Sequence, residues 1–357
     1  MRKNRALADR IANTSLWLLA AVNVLFVLAF AVTLLFATSP AHSQADETIA
    51  CNGRNLLEEF LRNDPEQVVE IEREAGRTPN GKGLLWKIEK DGIAPSFLFG
   101  TMHVTDPRVT SLPDAAKAAF DEARTVVIET TDILDQQAVM AAMVEEPGLM
   151  MFPPGEALTD HLTAEQREIV STALDARGVP LSSVVKMKPW MLVSLVALPA
   201  CEQARQQAGK PVLDVKLAKD AKAAGKKLAG LESVGEQLRA MASLPMPFHI
   251  EGLVSTLSMG DRVDDVIETM IQLYSDGETA MFRPMLEQAV PGDGASMGYA
   301  EFEAAMVTAR NATMAERALP ILKKGHAFIA VGAMHLPGKD GLVEKLRQAG
   351  YRVTRAL

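Results

Sequence analysis

Hydrophobic and polar residues follow two regimes along this chain. Near each end of the folded part they form short strand-like runs, and between them the period is helical. Leu84–Glu89 and Ser96–Phe99 flank the turn dipeptide Asp91-Gly92 and predict a β-hairpin. Pro113 opens a helix predicted to reach Arg124, and Thr125–Glu129 is a β-branched run ending in a carboxylate. Residues 46–82 are polar, with a helical stretch near Leu56–Arg62. Helices are predicted from about Leu134 to Arg177, broken at Met151–Gly155, and an apolar helix over roughly 190–208 follows Lys188-Pro189-Trp190. Lys227–Leu231 reads as a short strand, and Ser233 with Glu236 makes a capping box for a helix over 234–241. Further helices are predicted over 249–272, 278–289 and 299–322. The chain closes with strand Ala327–Val331, helix Gly341–Gln348 and strand Tyr351–Arg355.

One short pattern occurs in both strand-rich regions. Phe97-Leu98-Phe99-Gly100-Thr101-Met102-His103 is matched 232 residues later by Ile329-Ala330-Val331-Gly332-Ala333-Met334-His335. Each copy is a buried-type strand, then Gly, two residues and His. Gly tolerates backbone angles closed to other residues, so each glycine is expected to turn the chain sharply and deliver its histidine to the end of the sheet. A single copy reads equally as a strand end with a satisfied histidine. Two copies put two imidazoles on one rim if the terminal strands share a sheet, as a metal site or an acid/base pair requires. That condition favours one α/β domain over residues 46–357. Its central mixed sheet is built from two strand–Gly-x-x-His–helix–strand blocks, and a mostly helical insertion over about 134–322 separates them.

The first 45 residues are of another kind. Arg2, Lys3, Arg5 and Arg10 precede an uncharged, mostly apolar run from Leu16 to about Ala37, and Ser43-Gln44-Ala45 suits a small-x-small cleavage site. This reads as a secretory signal or, uncleaved, a signal anchor. Either way the remainder is expected outside the cytoplasm: periplasmic or secreted, or anchored to the inner membrane and facing the periplasm. Removing those four basic residues and Asp9 moves the net charge from −8 to about −11. That balance argues against nucleic acid or an anionic membrane surface as partner, apart from the N-terminal segment itself. Cys51 and Cys201, two cysteines in an oxidising compartment, are most simply a disulfide.

These segments together resemble the TraB/PrgY/GumN family, which includes the TIKI ectodomain proteases and shares features with the erythromycin-esterase/ChaN-like fold. The matching stretches are FLFGTMHV at 97–104, VVIET at 126–130, KPW at 188–190, LDV at 213–215, GLES with Gln237 at 230–237, RN at 310–311 and AVGAMHLPGKDGL at 330–342. The signal-like segment and two cysteines suit its bacterial, GumN-like branch. The resemblance implies a metal-dependent hydrolase with a peptide or protein substrate. Its divalent ion, Mn²⁺, Co²⁺ or Zn²⁺, would be held by His103, His335 and Glu129. Two imidazoles and a carboxylate leave a coordination position for water.

The residues carry rival readings. Glu129 is a ligand, a general base, or a strand end reaching solvent. Arg310 binds a substrate carboxylate or an oxyanion, or belongs to a buried ion pair. Asp214 and Glu232 read as structural carboxylates, His161 and His249 as residues of no special role, and His326, just before the final histidine-bearing strand, as a nearby ligand or as another such residue. The methionines, Met140, Met143, Met150 and Met151 among them, fill core or line an apolar surface. No Gly-x-Ser-x-Gly elbow, His-Glu-x-x-His helix or P-loop is present, which disfavours a serine hydrolase, an ordinary zincin or a nucleotide enzyme. The alternative to a hydrolase is a non-catalytic binding or envelope-assembly protein on the same scaffold, with haem binding as a third.

Overall fold

The computed structural model describes residues 49–289 and 299–357, so the signal-like segment lies outside the described residues. No helix among those described is long and apolar enough to cross a membrane. Six strands form one sheet: β1 (Leu85–Lys90), β2 (Ile93–Thr101), β3 (Thr125–Ile128), β4 (Lys227–Gly230), β5 (Ala327–Gly332) and β6 (Arg352–Arg355). Their spatial order is β4-β3-β5-β2-β1-β6. β1 is antiparallel to both its neighbours, and the pairs β4-β3, β3-β5 and β5-β2 are parallel. Only β1 therefore runs against the rest. Each Gly-x-x-His block is a strand–helix–strand crossover, as expected, one from β2 to β3 and one from β5 to β6.

Alternation along the strands feeds two cores. Phe99, Val126, Ile128, Phe328 and Ala330 face Ala116, Ala119 and Phe120 of the helix Asp114–Glu122 and Leu217 of the helix Leu213–Ala223. Leu98, Val127, Ile329 and Val331 face the helices Ala309–Leu322 and Leu342–Gln348 on the other side. With both faces covered, these strands have near-continuous apolar sequences. A third core belongs to the helical middle alone. It joins Val170 and Leu174 to Leu192 and Val196 of the helix Pro189–Val196, and to Ile250, Leu253 and Leu257 of the helix Met246–Met259.

The helical middle differs from expectation in detail. The long helix over 190–208 is two, Pro189–Val196 and Ala200–Gln207, because Pro199 forces the preceding residue out of helical geometry. The 249–272 helix is also two, Met246–Met259 and Arg262–Ser275, parted at Gly260 with φ of 53°. Helices Pro65–Ala75 and Leu213–Ala223 were not anticipated by the periodicity. Cys51 and Cys201 are joined in a disulfide, as expected of the pair.

Candidate active site

Parallel pairing sets the site. Gly100 lies opposite Val331 and Thr101 opposite Gly332, so β2 and β5 end side by side and release their histidine loops at one edge. Val127 pairs with Ile329, which brings Glu129, just past β3, to the same edge. Carboxyl ends of parallel strands are where open α/β sheets place their ligands.

Neither motif glycine has a positive φ, contrary to the turn expected of them. Both are present for lack of volume. A Cβ on Gly100 would stand 2.8 Å from Leu336 Cδ1 and 3.1 Å from Ala333 Cα, so the second loop packs directly on the first strand. A Cβ on Gly332 would stand 3.2 Å from Glu129 Oε1, 3.6 Å from His335 Cδ2 and 3.8 Å from His103 Nε2. The three side chains surround that one point.

Each imidazole is held from behind. His103 Nδ1 is 2.8 Å from Asp214 Oδ2, and Asp214 Oδ1 accepts from Thr101 Oγ1 at 2.8 Å. His335 Nδ1 is 2.7 Å from Asn311 Oδ1. The Asn311 amide nitrogen donates to the Asp340 carbonyl at 3.0 Å, so Oδ1 is the accepting atom and His335 carries its proton on Nδ1. Its Nε2 lone pair then faces Glu129 Oε1, 3.8 Å away. Asp214 plays the same part for His103. A carboxylate or amide behind Nδ1 is the arrangement that orients histidines towards metal ions.

Glu129 is tied on three sides. Oε1 accepts from Gly332 N–H at 2.7 Å, and Oε2 accepts from Gln237 Nε2 at 3.0 Å and Arg310 Nη2 at 2.6 Å. Arg310 also forks onto Glu232 through Nε and Nη2, so it belongs to a buried ion pair. Burial pulls the Glu129 pKa up. His335, His103, Arg310 and the Gly332 N–H together outweigh it and hold the carboxyl below its usual range. Burial also dominates at His335, pushing it down to about 4. That ring is neutral near pH 7, so Arg310 and the Gly332 amide are the steady partners of Glu129. The charge of Asp214 raises the His103 pKa. The His103 side chain is 62% exposed, so solvent screens the effect.

Among the described residues no three His, Cys, Asp or Glu side chains form a closed metal-coordinating cluster. The donor chemistry nevertheless fits a divalent ion: two oriented imidazoles and one carboxylate oxygen meet over a glycine with no side chain to fill the space. The charges fit as well, since Glu129 and Glu232 share the guanidinium of Arg310, and Asp214 adds a third carboxylate behind His103.

The structure thus brings together His103, Glu129, His335 and Arg310. It also adds Asp214 and Glu232, which read from sequence as structural carboxylates, and Asn311 and Gln237, which have no role by pattern alone. The signal for them lay in the short LDV, GLES and RN matches, which carry the partners of the motif residues. His326 sits at the opposite end of β5, and His161 stacks on Phe152 with ring centroids 4.9 Å apart. His249 is buried in the wall of a cleft that opens beside His103, Glu129 and Arg310.

A model of the TraB/PrgY/gumN family matches residues 84–355. Among curated proteins the chain is similar to Metalloprotease TIKI2 of Xenopus tropicalis, 26% identical over 317 residues, covering 76% of this chain and 59% of that protein. It is similar to Metalloprotease TIKI1 of Danio rerio at 26% identity, covering 76% of this chain and 62% of that protein. Metalloprotease TIKI1 of Homo sapiens is 27% identical over 331 residues, with 76% and 62% covered. The chain thus spans about three-fifths of the length of these relatives. No solved structure matches it.

Proposed function

Since the chain belongs to the TraB/PrgY/gumN family, we propose that it is a metal-dependent hydrolase acting on peptide bonds. The observation that carries this reading is the meeting of His103 Nε2, His335 and Glu129 Oε1 around Gly332. These atoms would hold the divalent ion, Mn²⁺, Co²⁺ or Zn²⁺, which when bound supplies a water of lowered pKa and polarises a carbonyl.

The remaining chemistry belongs to the chain. Asp214 and Asn311 fix which imidazole nitrogens face the cleft. Arg310 and Gln237 hold Glu129 Oε2 and leave Oε1 towards the histidines. A carboxyl held below its usual pKa range is a poor proton acceptor at neutral pH, which favours Glu129 as ligand over general base. The Cys51–Cys201 disulfide and the basic–apolar pattern of the first 45 residues support a location outside the cytoplasm, periplasmic, secreted or anchored to the inner membrane.

One observation favours a second reading. Arg310 already neutralises Glu129 at 2.6 Å, which satisfies the buried carboxylate without a metal ion, as in a scaffold without catalysis.

The test is metal content by plasma mass spectrometry of the full-length chain and of a His103→Ala/His335→Ala variant, each after reloading with Mn²⁺, Co²⁺ or Zn²⁺. Near-stoichiometric metal in the parent, absent from the folded variant, with metal-dependent cleavage of casein, is the expected result. Equal metal in both proteins would sink the hydrolase reading and leave the scaffold.

A further inference from the structure

Beside the polar rim the cleft has an apolar half. Trp190, Leu238, Met241, Phe248, Phe302 and Met306 line the same cavity of about 560 Å³ as His103, Glu129 and Arg310. A cavity of this size, with a hydrocarbon wall and a few convergent polar groups, is typical of a site for a small molecule or a side chain.

Two features of the wall do not follow from packing. Gly252 lies inside the helix Met246–Met259, where glycine costs roughly 1 kcal/mol relative to alanine. A Cβ there would meet nothing within 4 Å, so no neighbour demands its absence. What the missing side chain does is enlarge the cavity that Gly252 lines. The second feature is the π-helical stretch Glu303–Thr308, which runs directly into the helix Ala309–Leu322. π-Helical turns are rare and concentrate at functional sites. This one carries Met306, whose carbonyl accepts from Arg310 Nη1 at 3.2 Å. The segment that delivers Arg310 and Asn311 to the polar rim therefore also supplies Phe302 and Met306 to the apolar wall.

We propose that this cavity receives one large apolar side chain, aromatic, Leu or Met, of an extended peptide whose neighbouring amide lies at His103, His335 and Glu129. Continuity of the wall with the polar rim selects a peptide side chain as the occupant. An acidic side chain would instead meet hydrocarbon and the carboxylate of Glu129, with the Arg310 guanidinium already paired to Glu129 and Glu232. The identity of the bond acted on rests on the hydrolase reading, whereas the binding preference does not.

The test titrates full-length protein calorimetrically with two blocked pentapeptides, Ac-Ala-Ala-Phe-Ala-Ala-NH2 and its counterpart with Asp at the centre. Parent, Gly252→Ala and Gly252→Phe proteins are compared. The Phe peptide should bind the parent and Gly252→Ala at least roughly tenfold tighter than the Asp peptide. Gly252→Phe, which fills the cavity from a helix position with open space, should lose that preference while keeping the parental circular dichroism spectrum. Equal or undetectable binding of the two peptides by the parent would overturn the proposal, as would a preference surviving in Gly252→Phe. A preserved preference in a metal-loaded parent that cleaves neither peptide nor casein would defeat the hydrolase reading and leave the pocket standing.

Discussion

Gly332 holds its place through the volume it leaves free. Its backbone angles, φ −50° and ψ 136°, are open to any residue, yet a Cβ would press on Glu129 Oε1 at 3.2 Å. Gly332→Ala should therefore fold with a near-parental Tm while losing roughly tenfold in metal affinity, the scale on which disturbed outer-sphere partners act. Parental affinity would show that the carboxylate moves aside at no cost. The motif was legible as a repeated pattern, but its reason was not, because a requirement for empty space depends on what packs opposite. The same holds for Asp214 and Asn311. A sequence shows that a histidine needs an acceptor behind it, but only the fold selects one 111 residues away for His103. His249 supplies a pH prediction. Burial, then the charge of Lys188, lowers its pKa below 6.5, against the Leu244 and Met241 carbonyls. A histidine with a depressed folded pKa contributes stability above its unfolded value that is lost as pH falls below it. From pH 7.5 to 5.5 the parent should lose more Tm than His249→Phe. His335, also depressed, titrates in both proteins, so the difference isolates His249. Parallel Tm curves would refute the assignment.

At the scale of elements, the strands and their loops were the most readable part. A buried parallel strand is a short apolar run, and β3 and β5 sit within one residue of their predicted limits, whereas β2 begins three residues before its predicted start. Helix ends in the middle were less readable where Pro199 and Gly260 interrupt a continuing apolar period. The helix Leu213–Ala223 lies in a stretch of lysine and alanine whose buried face, Leu213, Leu217, Ala218 and Ala221, is too small to stand out by pattern. The short helix Ala200–Gln207 has a role no period could show. Glu202, 2% exposed, accepts from Thr105 N–H at 2.6 Å and Thr105 Oγ1 at 2.9 Å, two residues beyond His103. Arg205 Nη1 reaches Asp106 Oδ2 at 3.3 Å, and the neighbouring Cys201 ties this helix to Cys51. The helix is thus a clamp on the first histidine loop, locked by the disulfide. Glu202→Ala leaves the buried Thr105 groups unpartnered and should cost about 1–3 kcal/mol in urea unfolding. A change within about 0.5 kcal/mol, the scale of a neutral surface substitution, would mean that the loop is held by other contacts.

At the scale of the whole molecule, the cleft is where separately packed regions meet. The sheet, with a core on each face, carries the polar rim. The helices 189–196 and 246–259, packed on the third core, carry Trp190, Phe248 and Gly252 of the opposite wall. No strand of the sheet contributes to that third core, whereas both other cores share β2, β3 and β5. Cooperative units follow shared burial, so the helical insertion should open at a lower free energy than the sheet. In hydrogen exchange the amides of Ala164–Asp175 and Met246–Met259 should then be protected roughly tenfold less than those of β2, β3 and β5. The ordering is a consequence of topology. The segments of the third core, within residues 152–196 and 246–257, lie in the chain between β3 and β5, which are paired, so they can loosen while the two strands stay hydrogen-bonded. Equal protection throughout would mean that the cleft walls move only as one body. Weaker protection in the insertion would instead make the cleft width adjustable at small cost, letting a wall built from Met241 and Met306 adapt to apolar side chains of different shape.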